Sequence, residues 1–201
     1  MRKIAIFGLA SNPPTLGHAH VVKSILALNK FDEVWVLPVY KHFHGKEMIA
    51  FEHRVEMARL AFKNMPKVKV FPYEMDFALK HDYDGSTINL LKHLRELESN
   101  DYYIVIGQDN ADTIETWNHG SELKENEKFI VLPRPNCYLV EEWYHLSPNV
   151  FLSSLKSLDI SSTMARDLLK EYGINGQLVK LNKLLDHDVI EYITWKKLYR
   201  G

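Results

Sequence analysis

The chain mixes two hydrophobic patterns: short unbroken apolar runs, and longer stretches in which apolar residues recur three or four positions apart. The unbroken runs, which we interpret as buried strands, are residues 3–7 (KIAIF), 33–37 (EVWVL), 68–71, 102–106 (YYIVI), 129–132 and, more weakly, 150–152. The spaced stretches predict five helices. One begins near Leu16 or Gly17, two begin at caps formed by Ser86 or Thr87 and by Ser161 or Ser162, and two extend over residues 55–62 and 188–198. Strands that alternate with helices predict an α/β fold with a central parallel sheet and helices on both faces.

Composition narrows the class of protein. The length of 201 residues suits one α/β domain, so we expect residues 1–201 to form a single domain. The chain is 46% apolar with a net charge of −1, which is typical of a soluble globular protein and gives no global basic field for nucleic acid or an anionic membrane. No apolar run is long enough to span a membrane. The one cysteine, Cys137, excludes a disulfide framework, so we expect a reducing, cytoplasmic compartment. The reactivity of Cys137 and assembly into a homo-oligomer stay open.

Residues suited to chemistry cluster where predicted strands end, in residues 8–20, 38–46, 107–117 and 159–166. In a parallel sheet, ligands bind beyond the carboxyl ends of the strands, near the point where the strand order reverses. We therefore expect these segments to meet at one edge of the sheet. The alternative is a purely structural α/β domain, in which these residues would occur at all four strand ends by coincidence.

The first segment, residues 8–20 (GLASNPPTLGHAH), joins a strand to a helix start. Gly8 lets a ligand approach the backbone closely, and the free N–H groups and dipole of a helix start attract phosphate. His18 and His20 lie near that first turn and can donate hydrogen bonds to phosphate oxygens. The alternative is an ordinary loop with two surface histidines. The segment is neither a Walker loop nor the Gly-x-Gly-x-x-Gly dinucleotide pattern.

The segment 159–166 (DISSTMAR) opens a helix with three hydroxyl side chains, and Arg166 follows within one turn. Hydroxyls, free N–H groups and a guanidinium in one helical turn form an anion site. The alternative is a simple helix cap beside a surface arginine.

The segment 107–117 combines a strand end with an aromatic side chain. Gly107 ends the strand, Asp109 follows it, and Trp117 offers a flat face on which a pyridine or purine ring could stack. The alternative makes Asp109 a helix cap and buries Trp117 in the core.

The segment 41–54 is a basic, histidine-rich loop that leads into a helix. We interpret His42, His44 and Lys46 as a cationic lid over a triphosphate, with Arg54 at the start of the next helix. The spacing of the histidines, counting His53, fits no zinc signature.

Two of these segments resemble the paired signatures of the nucleotidyltransferase superfamily. The residues that match its N-terminal pattern, Gly-x-Phe-x-Pro-x-His/Thr-x-Gly-His, are Gly8, Pro13, Thr15, Gly17 and His18. Those that match its C-terminal pattern, Ile-Ser-Ser/Ala-Thr-x-Ile-Arg, are Ile160, Ser161, Ser162, Thr163 and Arg166. Residues 107–117 closely resemble the Gly-x-Asp to Trp pattern of the nicotinate-nucleotide adenylyltransferases, and residues 129–135 match the strand and turn that follow in that family. The resemblance extends from residue 3 to residue 200.

The sequence departs from that family in three places. Residues 9–12 (LASN) stand where Gly-Thr-Phe-Asp is usual, and Asn12 keeps a polar group at the Asp position. No Pro-Pro precedes His44, and the basic position shifts to Lys46. Residues 85–87 (GST) replace Ser-Tyr-Thr, whose backbone amides hold the nicotinate carboxylate in the family.

The resemblance implies a Rossmann-like nucleotidyltransferase fold and transfer of AMP from ATP, with Mg²⁺, to nicotinic acid mononucleotide. The implied catalytic residues are His18, Arg166, His44 and Lys46. The implied ATP-binding residues are Gly8, Leu9, Ala10, Thr15, His18, Gly107, Asp109, Ile160, Ser161, Ser162, Thr163 and Arg166. The implied mononucleotide-binding residues are Ser11, Asn12, His44, Ser86, Thr87, Trp117 and Arg134. We expect Mg²⁺ to bind phosphate oxygens and water, without a dedicated set of protein ligands.

Two other functions fit the same motifs. An enzyme of this superfamily could take nicotinamide mononucleotide as its acceptor, because residues 85–87 depart from the family pattern. A non-catalytic nucleotide sensor could keep the pocket, although such a protein would be free to lose His18 or Arg166. The partners expected in every case are ATP and a pyridine mononucleotide.

Overall fold

The computed structural model describes residues 1–40, 47–80, 85–135, 143–156, 158–172 and 177–199. The strands in these ranges are β1 Lys3–Leu9, β2 Glu33–Pro38, β3 Val68–Val70, β4 Asp101–Gly107, β5 Lys128–Leu132 and β6 Val150–Phe151. The helices are α1 Leu16–Ala27, α2 Phe51–Phe62, α3 Tyr73–Lys80, α4 Thr87–Leu97, α5 Gln108–Ala111, α6 Gly120–Asn126, α7 Ser162–Tyr172, α8 Leu178–Leu181 and α9 His187–Lys196, with 3₁₀ turns at Ile114–Thr116 and Trp143–His145.

The strands form one parallel sheet in the order β3-β2-β1-β4-β5-β6. The chain first builds outward from β1 to β3, then crosses back to place β4 on the other side of β1. The strand order therefore reverses between β1 and β4, where α/β sheets of this kind bind their ligands. The predicted Rossmann-like parallel sheet is confirmed.

Alternating side chains of the central strands divide the core between the two faces of the sheet. Ile4 and Ile6 of β1 pack with α4 in one cluster, whereas Ala5 and Phe7 pack with α1 in a second cluster on the opposite face. A third cluster joins α2, α7 and α9 through Met57, Leu169, Ile193 and their neighbours. The starts of α1 and α4 therefore approach the end of β1 from opposite faces of the sheet.

Most predicted elements occur within a residue or two of their expected bounds, but α2 begins four residues before the predicted stretch 55–62, and the short helices α5, α6 and α8 were not predicted. Helix α3 was not predicted, because one of its apolar side chains, Leu79, is 71% exposed while Glu74 is buried, against the expected pattern. Strand β1 continues through Gly8 to Leu9. Ser86 precedes α4 at the cap position, but its side chain makes no capping hydrogen bond to the helix amides. No helix in the described ranges has both the length and the apolarity that crossing a bilayer requires.

Candidate active site

A cavity of about 570 Å³ opens at the carboxyl edge of the sheet. The ends of β1, β4 and β5 form its floor through Gly8, Leu9, Gly107 and Leu132. A Cβ on Gly8 would meet no atom within 4 Å, so this stretch of backbone is open to a ligand. The cavity thus lies at the reversal of strand order, as predicted.

Helix α1 begins with a capping box that orients His18. The Thr15 hydroxyl accepts a hydrogen bond from the His18 N–H, and Nδ1 of the His18 ring accepts one from the Thr15 N–H at 2.9 Å. Because Nδ1 is an acceptor here, the ring proton of the neutral imidazole resides on Nε2. His18 lines the cavity, so it presents an N–H donor to a bound anion.

Burial lowers the pKa of His18 to about 4, and the positive charge of Arg134 contributes to the same shift. The ring is half-buried in the cavity wall, which leaves it little water to solvate an added charge. His18 is therefore neutral at pH 7, and its Nε2–H can donate a hydrogen bond.

The start of α7 contacts the loop after β1, although the two segments lie about 150 positions apart in the sequence. The Ser162 hydroxyl donates to the Pro13 carbonyl at 2.8 Å, a contact between residues 149 positions apart. Arg166 donates to the Asn12 carbonyl at 2.8 Å and to the Thr163 hydroxyl at 3.1 Å. Ser161 caps the helix by accepting from the Met164 N–H. Two helix starts rich in donors therefore stand side by side.

The segments that open α1 and α7 both contribute residues to the cavity wall. The residues of the second motif that line the cavity are Ile160, Ser161, Ser162 and Thr163. Arg166 does not line it but is held against Thr163, which does. His20 lines it as well, with its ring nitrogen Nε2 3.1 Å from the Lys156 carbonyl. We call this region, formed by the starts of α1 and α7, the nucleotide half.

The opposite wall belongs to the other face of the sheet. It contains Thr87 in the first turn of α4 and the half-buried Trp117, which packs against the same core cluster as α4. Glu74 of α3 lines it too. We call this region the acceptor half. Trp117 and the starts of α1 and α7 thus line one cavity.

An exposed ion pair covers Gly107 at the rim of the cavity. Arg134 Nε donates to Asp109 Oδ1 at 3.1 Å, and a Cβ on Gly107 would overlap both side chains. Only glycine leaves room for this pair. Arg134 and the neighbouring Asn110 line the cavity, whereas Asp109 itself does not.

Arg54 lies in the first turn of α2, close to the predicted helix start, and is only 2% exposed. Its guanidinium donates to the backbone carbonyls of Ala10, Val39, Tyr40 and Ile49 at 2.6–3.2 Å. Arg54 therefore ties the end of β1 to the segment that follows β2.

The predicted ligands Ser11 and Asn12 are buried behind the cavity wall, 1% and 4% exposed, and neither lines it. Asn12 Oδ1 accepts a hydrogen bond from the Tyr199 hydroxyl at 2.8 Å. Ser86 is also buried and does not line the cavity. The Asn12 side chain thus holds the loop after β1, whose backbone borders the site at Ala10.

Some predicted residues have no described position, and two charged residues that line the cavity were not predicted. His42, His44, Lys46 and Cys137 lie outside the described residues. Lys156 and Glu74 line the cavity but were not predicted. Lys156 lies three residues before the segment 159–166, so a search for basic residues flanking that motif would have found it. No sequence signal marks Glu74.

The chain belongs to the cytidylyltransferase-like family, whose model matches residues 10–168. Its structure is similar to the nicotinic acid mononucleotide adenylyltransferase of Plasmodium falciparum in complex with APC, with a TM-score of 0.79, 26% sequence identity, and coverage of 99% of this chain and 98% of that one. The same enzyme in complex with NaAD gives a TM-score of 0.75 at 26% identity, with the same coverage of both chains.

The nicotinate-nucleotide adenylyltransferase of Bacillus subtilis (strain 168) is 32% identical over 111 residues, which is 54% of this chain and 57% of that enzyme. The chain thus spans a little over half the length of the curated relatives it matches. The predicted resemblance to nicotinate-nucleotide adenylyltransferases is confirmed by these matches.

Proposed function

We propose that this chain transfers the adenylyl group of ATP to nicotinic acid mononucleotide, forming nicotinic acid adenine dinucleotide and pyrophosphate. The observation that supports this most directly is the shared cavity, with two donor-rich helix starts in the nucleotide half and Trp117 in the acceptor half. A triphosphate in one half and a pyridine nucleotide in the other would meet at the end of β1.

The reaction is an in-line displacement in which the mononucleotide phosphate attacks the α-phosphorus of ATP and pyrophosphate leaves. The attacking group is already an anion, so no protein nucleophile is needed, and catalysis depends on positioning and on stabilising the developing charge. The neutral Nε2–H of His18 donates to the phosphate oxygens where that charge develops. The start of α7, with Ser161, Ser162 and Thr163, binds the β- and γ-phosphates, and Arg166 supports it from the side.

The remaining assigned residues complete the two halves. The backbone of Gly8, Leu9 and Ala10 and the capping residue Thr15 border the ATP phosphates, and Gly107 and Ile160 border its nucleoside. Asp109 acts through its ion pair with Arg134. Thr87, Trp117 and Arg134 contact the mononucleotide, while Ser11, Asn12 and Ser86 contribute through the backbone of their loops. The roles of His44 and Lys46 as lid cations remain part of this proposal.

A divalent cation, Mg²⁺ in this proposal, enters with ATP as part of the substrate. Among the described residues lining the cavity, the one carboxylate is the buried Glu74, so the ion would be held by phosphate oxygens and water. The described His187, Asp188 and Glu191 bring ligand atoms within 4.8 Å of one another, but Asp188 pairs with Lys63 and none of the three lines the cavity. A cytoplasmic location, where ATP is available, belongs to the same proposal.

The deciding assay incubates the protein with ATP, Mg²⁺ and either nicotinic acid mononucleotide or nicotinamide mononucleotide. Pyrophosphate release and chromatography of the dinucleotide product are measured in parallel. We expect the acid to be the better acceptor. A higher kcat/KM with nicotinamide mononucleotide would make that compound the acceptor. If no pyrophosphate is released with either mononucleotide, the transferase assignment is refuted.

A further inference from the structure

Glu74 is a buried acidic side chain in the wall of the cavity, and the reaction proposed above gives it no task. It is 7% exposed and lies on α3. Among the described residues, the buried polar side chains that line the cavity are Thr15 and Glu74. Thr15 already caps α1 and orients His18. Glu74 is therefore the buried polar side chain that remains available to a ligand.

The carboxylate of Glu74 is only partly satisfied by the protein. Its Oε2 accepts a hydrogen bond from the Tyr40 N–H at 2.9 Å. Arg54 favours the charged form electrostatically, but its N–H groups donate to backbone carbonyls instead. Within the described part of the chain no other hydrogen bond reaches Glu74. A carboxylate has about four acceptor sites, so Oε1 can still accept one from a ligand.

Helix α3 places Glu74 in the acceptor half. The ring of Phe77 in α3 stacks on His93 of α4, with ring centroids 4.4 Å apart. The first turn of α4 carries Thr87, which lines the cavity beyond the same face of the sheet as Trp117. The helix starts that make up the nucleotide half pack on the other two core clusters.

The chemistry of the acceptor restricts what can face a carboxylate. Nicotinic acid mononucleotide carries an ionised carboxylate and, near pH 7, a largely ionised phosphate, and both groups would be repelled by Glu74. The groups that can donate a hydrogen bond are the two ribose hydroxyls. We infer that Glu74 is a specificity-determining residue that accepts a hydrogen bond from a ribose hydroxyl of the mononucleotide, an inference that rests on the proposed function.

The test compares Glu74→Gln with wild type, because glutamine keeps the size and an acceptor oxygen but removes the charge. At about pH 8, where Glu74 with its pKa of about 7 is mostly ionised, we expect the KM for the mononucleotide to rise about tenfold, as for loss of a charge-assisted hydrogen bond, while the KM for ATP stays within about twofold. Asp76→Asn is the matched control, since Asp76 is an exposed acid on the same helix. It should change neither KM.

The hydroxyl is identified with 2′-deoxy and 3′-deoxy mononucleotides. One of these should be a poorer substrate for wild type, and that penalty should be smaller in Glu74→Gln, whose amide oxygen still accepts a hydrogen bond but carries no charge. Equal rises in both KM values, or deoxy penalties unchanged in the variant, would overturn the inference and leave Glu74 as a support for the Tyr40 backbone. Wild type with no activity on the ribose mononucleotide would instead refute the proposed function, so the two failures are distinguishable.

Discussion

Replacing His18 tests the proposed mechanism at its centre. The capping box fixes the ring proton on Nε2, and burial lowers the pKa of His18 to about 4, so the donor is a neutral N–H held in place before substrate arrives. Removing one preorganised donor of this kind from a transition-state site costs about 10²–10³ in kcat, or about 3–4 kcal/mol in activation free energy. His18→Ala should show a loss of that size. Because Arg166 and the start of α7 stay in place, some catalysis should remain.

Two amide variants separate the donor from the rest of the ring. Glutamine can place its amide nitrogen near the position of Nε2, whereas asparagine reaches only to the position of Nδ1. We therefore expect His18→Gln to retain about tenfold more activity than His18→Ala, a recovery of about 1.4 kcal/mol. His18→Asn should resemble alanine.

The assay is steady-state pyrophosphate release at saturating ATP and mononucleotide, with far-UV circular dichroism and Tm measured for each variant. The Tm is needed because the variants disturb a capping box, which contributes about 0.5–2 kcal/mol. His187→Ala, an exposed histidine on α9, controls for histidine replacement as such. A folded His18→Ala with near-full kcat, or asparagine outperforming glutamine, would refute the reasoning. The reasoning would also be refuted if the kcat of wild type changed with pH around 6.5 and this change were absent in His18→Gln, because His18 would then titrate at its ordinary pKa.

Three further predictions concern the scaffold of the site. Gly107→Ala should lower kcat/KM about tenfold with little change in Tm, because the new Cβ displaces only the exposed ion pair at the rim. Gly120→Ala should instead lower Tm sharply, because its Cβ would overlap a backbone carbonyl. Tyr199→Phe should cost about 1–3 kcal/mol in unfolding free energy by leaving Asn12 Oδ1 without its buried donor, measured by urea denaturation. Burial raises the pKa of Glu74 from 4.5 to about 7, so the folded state binds the proton more tightly and wild type loses stability as pH rises through this window. Glu74→Gln lacks this loss, so its unfolding free energy relative to wild type should increase by up to about 3 kcal/mol between about pH 5 and about pH 8.

The pH dependence of the unfolding free energy has to be measured as the difference between wild type and Glu74→Gln, because His18 and Glu74 change that free energy in opposite directions. The lowered pKa of His18 means that the unfolded chain binds the extra proton, so His18 makes stability rise with pH between about 4 and 6.5. The raised pKa of Glu74 makes stability fall over an overlapping range. Wild type alone can therefore look insensitive to pH while both groups titrate.

Local patterns were sufficient to predict the sheet and both phosphate motifs. The apolar runs of β1, β2 and β4 end at residues that break the pattern, and the order of strands and helices leaves few ways to build a parallel sheet. Residues 8–20 and 159–166 each carry their chemistry in one short continuous segment, so each can be recognised without knowledge of the other. Their contact through Ser162 and Pro13 follows from the requirement that both lie at the same sheet edge.

The misassigned residues are those whose role depends on distant partners. The sequence predicts that Arg54 lies at a helix start but not that it is buried, because charged side chains are rarely buried without partners and the four backbone carbonyls that serve as partners lie elsewhere in the chain. Glu74 escaped notice for the same reason. The hydrogen bond from Tyr199 to Asn12 spans 187 positions, and no local pattern encodes it.

These distant contacts explain how the loop after β1 can serve a reaction that depends on positioning. Ser11 adopts a positive φ of 52°, a conformation that a non-glycine residue holds only when its surroundings impose it. Arg54 fixes the Ala10 carbonyl on one side of Ser11, and Arg166 fixes the Asn12 carbonyl on the other. Tyr199 from the last described turn then holds the Asn12 side chain. In the proposed reaction, the backbone of this loop and the oriented His18 ring bind phosphate. The rigidity of the loop therefore reduces the reorganisation that the transition state requires.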